Sequence, residues 1–237
     1  MPASRDAKSR SHGESRVRAW ILLVTPPLVF GVDVETDPER AGLDALVSTQ
    51  FERRLAPGLA LAAQSEAIAN ACRDMATRFR QGGKRIVFGN GLAGADAQHV
   101  AVGCLHPVIV GKSALPAVAL VADAATLSDV ATRRGWDETF SWQIHGVGAA
   151  EDIALGIVGE MPCQNVIAGL RVAARSGMLT VALVPADSAV LACVDHQLVT
   201  ATNDPTIARE VRVTLYHLLW ELVHVFLEQP ADEGRQR

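Results

Sequence analysis

Five short apolar runs, most of them followed by a stretch of helical spacing, leave few folds open to this chain. "KRIVF" at 84–88, "PAVALVA" at 116–122, "DIALGIV" at 152–158, "MLTVALV" at 178–184 and "HQLVTA" at 196–201 have strand length and apolar side chains on successive positions, the pattern of strands covered on both faces. Residues 94–105, 126–134 and 165–176 read as helices, the last stopped by Gly177, and 205–228 as a long closing helix. In that helix Val211, Leu215, Leu218, Leu219, Leu222, Val223 and Phe226 cover much of the circumference, which predicts burial on more than one side. Alternation of this kind predicts an α/β protein, a doubly wound parallel sheet flanked by helices. Ligands of such sheets bind beyond the carboxyl ends of the strands, which points to the loops after Phe88 and after Val158.

Upstream, Asp37-Pro38 is an N-cap and first-turn pair, and Leu43, Leu46, Val47, Phe51 and Leu55 recur at helical spacing until "APG" at 56–58 breaks the pattern. A second helix carries Ile68, Cys72, Met75 and Phe79 on one stripe and ends at Gly82-Gly83. The two form an N-terminal helical hairpin. Residues 1–35 are polar and basic before an apolar run that Pro26-Pro27 splits and that is too short to span a bilayer. They read as a disordered extension, 36–229 as one domain and 230–237 as a disordered tail.

Charge and cysteine usage narrow the class. A formal net charge of −4 argues against a nucleic-acid binder, which needs a basic stripe. Arg53, Arg54, Arg78, Arg80, Lys84 and Arg85 are interleaved with acids or lie near helix ends and read as solvated faces. The four cysteines form no CxxC pair, which fits a reduced, cytoplasmic compartment. Trp136, Trp142 and Trp220 read as packing residues.

The segments carry a series of short motifs in order: Gly89-Asn90-Gly91, Asp96-Ala97-Gln98-His99, Pro116-Ala117, Gly135 with Phe140-Ser141-x-Gln143, Gly156-Ile157, Asn165-Val166, Ala173-Ala174-Arg175 with Gly177-Met178, and His217-Leu218-Leu219. Together they resemble the sugar isomerase (SIS) fold, and within it the phosphoheptose isomerase branch, over about residues 37–228. The resemblance implies conversion of sedoheptulose 7-phosphate to a mannoheptose phosphate, a homotetramer with sites at subunit boundaries, and a Ser/Thr-rich loop gripping the phosphate. It also implies a glutamate four residues after the helix histidine as acid/base, with a histidine of the last helix as its partner.

The chain departs from that pattern where the chemistry lies. Gly91-Leu92-Ala93 stands for Gly-Gly-Ser, Val158-Gly159-Glu160-Met161-Pro162-Cys163 for the Ser/Thr-rich loop, Gly103 for the acid/base glutamate, and Arg209 for a glutamine. An enediol isomerisation needs a positioned acid–base group, each contributing roughly 10²- to 10⁴-fold, and glycine has none. Hydroxyl hydrogen bonds to a phosphate contribute about 1.5–3 kcal/mol each; Glu160 in their place repels a dianion and Pro162 removes an amide donor.

Two readings follow. In the first the chain is a catalytically impaired, sugar-phosphate- or anion-binding scaffold, a homo-oligomer with a protein partner; the resemblance supplies a precedent in a paralogue that assembles with a replication initiator. In the second it is an active aldose–ketose isomerase rebuilt around His217 and Glu160 as catalytic groups. Gly89, Asn90, Gly91, Asp96, His99, Cys163, Asn165 and Arg209 are the ligand-binding candidates, Arg209 either reaching the loop or facing solvent. Some members of the branch hold zinc at the positions of His99, Gly103, Arg209 and His217. Here His99 and His217 are the metal candidates, with Cys104, His106, Cys163 or Glu160 as replacement ligands.

Overall fold

Parallel strands that alternate their side chains between two helical layers organise the computed structural model, which describes residues 38–107, 109–159, 163–189 and 191–229. In chain order the elements are α1 (Pro38–Ala62), α2 (Ser65–Arg80), β1 (Arg85–Gly89), α3 (Leu92–Leu105), β2 (Ala117–Ala119), α4 (Ala124–Arg134), a single 3₁₀ turn (Trp136–Glu138), α5 (Thr139–Val147), β3 (Ile153–Ile157), α6 (Gln164–Arg175), β4 (Leu179–Pro185), β5 (His196–Thr200) and α7 (Pro205–Glu228). The strand order is β2-β1-β3-β4-β5, all parallel. The order reverses between β1 and β3, where Arg85 pairs with Ile153 and Gly89 with Ile157. That reversal opens a crevice at the carboxyl ends of the two strands.

The period-two pleat divides the core. Val87, Leu155, Val181 and Leu183 face α2, α3 and α7, whereas Ile86, Phe88, Ala154 and Ala182 face α5 and α6. Every residue of β1 and β3 is buried, which is why their sequences are apolar without alternation. The amino ends are tied by Asp152, whose carboxylate accepts from Lys84 N (2.8 Å), Lys84 Nζ (2.5 Å) and Ala149 N (2.9 Å). Asp204 caps α7, accepting from Thr206 N and Ile207 N at 3.0 and 3.2 Å, and also meets Arg53 at 2.6 Å.

Several expectations need correcting. The first helix does not end at "APG" but runs through Pro57 to Ala62; the proline ring is buried, and its packing holds the helix through a residue that costs it one hydrogen bond. Residues 139–147, read only as a motif, form a helix. β2 is an edge strand of three residues with Val118 partly exposed, not a buried strand. Trp136 and Trp142 are half exposed rather than packed in the core, with the Arg134 guanidinium 3.4 Å from the Trp142 ring centroid. Arg85, read as solvated, is 1% exposed; it begins β1 on the same face as Val87, under α2, α3 and α7. The expected disordered segments, 1–35 and 230–237, lie outside the described residues. Among the described residues no helix is long and apolar enough to cross a membrane.

Candidate functional site

The glycine turn after β1 is dictated by backbone contact. A Cβ on Gly89 would lie 2.9 Å from both Ala93 O and Ile157 O, and one on Gly94 3.0 Å from Gly89 O, so α3 starts directly against the ends of β1 and β3. Gly91 has φ +54°, a conformation that side chains other than glycine's adopt at a cost. The amides of Ala93, Gly94 and Ala95 bond back to the carbonyls of Asn90 and Gly91 at 3.0–3.3 Å. Asn90 and Asn165, expected as ligand contacts, hydrogen-bond reciprocally: Asn90 Nδ2 donates to Asn165 Oδ1 at 2.7 Å, and Asn165 Nδ2 to Asn90 Oδ1 at 2.9 Å. Asn165 Nδ2 also donates to Thr139 Oγ1 (3.0 Å), and Asn165 Oδ1 accepts from Val166 N (2.9 Å). This network fastens the turn to the start of α6.

Above it lies a cleft of about 780 Å³ that brings together Asn90, Gly91, Asp96, His99, Cys163 and Arg209. Gly89, the last residue of β1, does not line this cleft but a neighbouring depression that shares Asn90 and Gly91 with it. Arg212 and Tyr216 from α7 complete one wall of the cleft. Asp96 is 2% exposed and faces Arg209 Nε at 3.6 Å and Arg212 Nε at 3.4 Å. Among the described residues Asp96 Oδ2 and Arg212 Nε make no hydrogen bond, so charge rather than hydrogen bonding holds this cluster. The remaining acid of the wall, Glu210, is engaged by Arg54 at 2.7 and 2.9 Å. Two guanidinium groups therefore share one carboxylate, which leaves the wall with surplus positive charge and favours an anion. Burial, then the Asp96 charge, push the Tyr216 phenol up to about 12 against the opposing pull of Arg209 and Arg212, so it stays a donor.

His99 and His217 meet edge to edge, Nε2 to Nε2 at 3.2 Å, joining α3 to α7. Burial, followed by His99, holds the His217 imidazole below its ordinary value, with Glu221 opposing. His217 does not line the cleft. It lines a second cavity of about 220 Å³ with Arg85, Gly103, Cys104, Trp220 and Glu221, separated from the cleft by His99 and Tyr216, which line both. A Cβ on Gly103 would meet nothing within 4 Å. Glu160, the other catalytic candidate, lies outside the described residues.

The zinc expectation meets a shortage of ligands. Tetrahedral zinc needs at least three protein donors, and among the described residues no group of three His, Cys, Asp or Glu side chains comes together. Cys104 Sγ faces Arg85. The described residues thus do not fit a zinc site.

Arg212, Tyr216 and Thr139 were not singled out in the sequence. Arg212 and Tyr216 follow Arg209 by one and two turns of α7, the spacing that places residues on one helix face; Thr139 carried no comparable signal.

A family model described as "SIS domain" matches residues 56–184. A phosphoheptose isomerase of Solidesulfovibrio magneticus is 32% identical over 169 residues, 71% of this chain and 83% of that protein. Among solved structures, a phosphoheptose isomerase from Francisella tularensis superposes with a TM-score of 0.70 at 26% identity, covering 78% of this chain and 98% of that one. The phosphoheptose isomerase of Neisseria gonorrhoeae gives 0.68 at 26% identity, with 76% and 98% covered.

Proposed function

We propose that this chain, which belongs to the SIS-domain family and to its phosphoheptose isomerase branch, binds a sugar phosphate in the cleft at the β1/β3 crevice without efficiently isomerising it. The observation that carries this reading is Gly103. It lies on the helix of His99, beside the His99–His217 pair, with open space around it, so no side chain occupies the place where the branch resemblance expects an acid/base. His217 is turned into a partnership with His99 instead. The surplus charge of Arg209 and Arg212 over Asp96, together with the amino end of α6, suits an anionic group.

A second reading has its own observation. His217 is held toward its neutral form by burial and so is able to accept a proton, which, with relatives named as isomerases, favours slow turnover from a rebuilt site. One assay separates the two: thermal titration with sedoheptulose 7-phosphate and isomerase turnover on the same samples. A saturable rise in Tm without turnover supports the binding scaffold. Turnover that disappears in His217→Ala establishes the second reading. No Tm shift and no turnover defeats both. Gly103→Glu, which the open space admits, is expected to raise turnover if the missing carboxylate is the impairment.

The same reading extends to boundaries, assembly and setting. The functional domain runs from 36 to 229, past the family match, because α7 supplies Arg209, Arg212 and His217. Phe51, Leu55 and Leu59 of α1 are exposed, which fits burial against further copies in a homotetramer. Light scattering on the purified protein checks this, a monomer counting against it. The setting is cytoplasmic, with a protein partner to be sought once ligand binding is measured.

A further inference from the structure

The second cavity holds polar groups that the cleft chemistry does not use. Arg85, almost wholly buried, carries five N–H donors and no acceptor. Among the described residues its Nη1 and Nη2 hydrogen-bond only to sulfur, Cys104 Sγ at 3.4 Å and Met75 Sδ at 3.5 Å, and its Nε has no hydrogen-bond partner. The guanidinium carbon lies 5.4 Å from the Phe79 ring centroid. Among the described residues no carboxylate pairs with it. A buried cation without a counter-charge is strongly disfavoured. Trp220, whose buried Nε1 is a second donor without a partner among the described residues, lines the same cavity. Indole N–H also only donates. The two orphaned groups therefore ask for an acceptor, and the cation asks for one negative charge.

We infer that this cavity is a binding site for a small monocarboxylate, its oxygens taken by the Arg85 guanidinium and the Trp220 indole N–H, adjoining the sugar-phosphate cleft across His99 and Tyr216. Guanidinium matches a planar carboxylate with two parallel bonds, whereas a dianion would leave net charge buried. About 220 Å³ corresponds to roughly seven water volumes, enough for an acid of a few carbons whose tail meets Val100 and Ile109. Glu221, exposed at the same cavity, is the one acidic side chain there among the described residues and sets a limit on charge. The open space at Gly103 is part of the room. The inference rests on Arg85 and Trp220 and does not depend on the cleft's ligand.

The test titrates the full chain with acetate, propionate and butyrate, with chloride and sulfate at matched ionic strength as controls, read by calorimetry and by Tm. A saturable carboxylate signal absent from the controls is expected. Trp220→Phe, which removes one hydrogen bond to a charged group, is expected to weaken it about tenfold. Arg85→Met is expected to abolish it while leaving the Tm of the ligand-free protein unchanged or raised, because an unpaired buried charge is gone. Equal binding in Arg85→Met, or no saturable signal up to about a thousandfold above micromolar protein, overturns the inference. Glu221→Gln guards against an internal counter-ion: an unchanged Tm supports the site. A marked fall in Tm that propionate does not reverse would mean that Glu221 rather than a ligand normally serves Arg85, and would also overturn it.

Discussion

Gly89, just before the histidine-bearing helix α3, and Gly103, inside its last turn, are opposite in kind. At Gly89 a single added carbon would strike two backbone carbonyls, so the residue is required by the approach of α3 to the sheet. At Gly103 the same carbon would touch nothing, and no packing or conformational demand requires glycine. The turn at the β1/β3 crevice is thus fixed by main-chain contact, while the wall of the second cavity beside the two histidines is merely vacated. The fold can persist with chemistry removed from that wall because the two depend on different atoms.

The contrast can be broken most sharply at its rigid side. Gly89→Ala is expected to lose about 3 kcal/mol, the upper end for overpacking a filled site, in urea unfolding; a near-neutral result would show that α3 can back away and that the turn is soft. At the other end of β1, Asp152→Asn should lose about 2 kcal/mol at pH 7, as hydrogen bonds to a buried carboxylate do. Burial works to raise the Asp152 carboxyl, but the bonds from Lys84 and Ala149 with the Lys84 charge outweigh it and hold the group below the usual carboxylate range. Its contribution is accordingly complete above the unfolded value near 4 and fades as pH falls through the lower folded value. Wild type and variant should therefore converge in stability only in strong acid; a gap that closes between pH 7 and 5 would contradict this.

Smaller effects probe the vacated wall and its support. Asp204→Ala removes the cap of α7 and should cost about 1 kcal/mol by thermal unfolding, with weaker anion binding in the cleft if α7 frays before Arg209. Gly103→Ala is the smallest change and is expected to gain stability, up to about 1 kcal/mol from helix propensity. A loss there would mean that the space around Gly103 is needed, and the contrast with Gly89 would collapse.

The layers of the fold were legible because β1 and β3 are buried at every position and so leave unbroken apolar runs, and because α7 is apolar on several faces. The helix 139–147 was not, since Phe140, Gln143 and Ile144 are buried in too short a span for periodicity to register. Pro57 misled because its usual effect on a helix is offset by burial that no local pattern reveals. Arg85 was misread for a related reason: a charged residue beside Lys84 at a strand end looks solvated, and only the helices packed over it in space bury it. The proximity of His99 and His217 was reachable through the family resemblance rather than through spacing. That Asn90 and Asn165 hydrogen-bond each other depends on the β1 turn meeting the head of α6, which one sequence does not encode locally.

That asparagine clasp has a kinetic and entropic meaning. Two amides, each both giving and receiving a hydrogen bond across the crevice, hold the β1 turn and the head of α6 in register without help from any bound molecule. A ligand arriving there meets a surface whose main chain is already in place, so little ordering opposes its entry. Association should then be limited by encounter and charge rather than by loop closure, with rates that fall as salt screens Arg209 and Arg212.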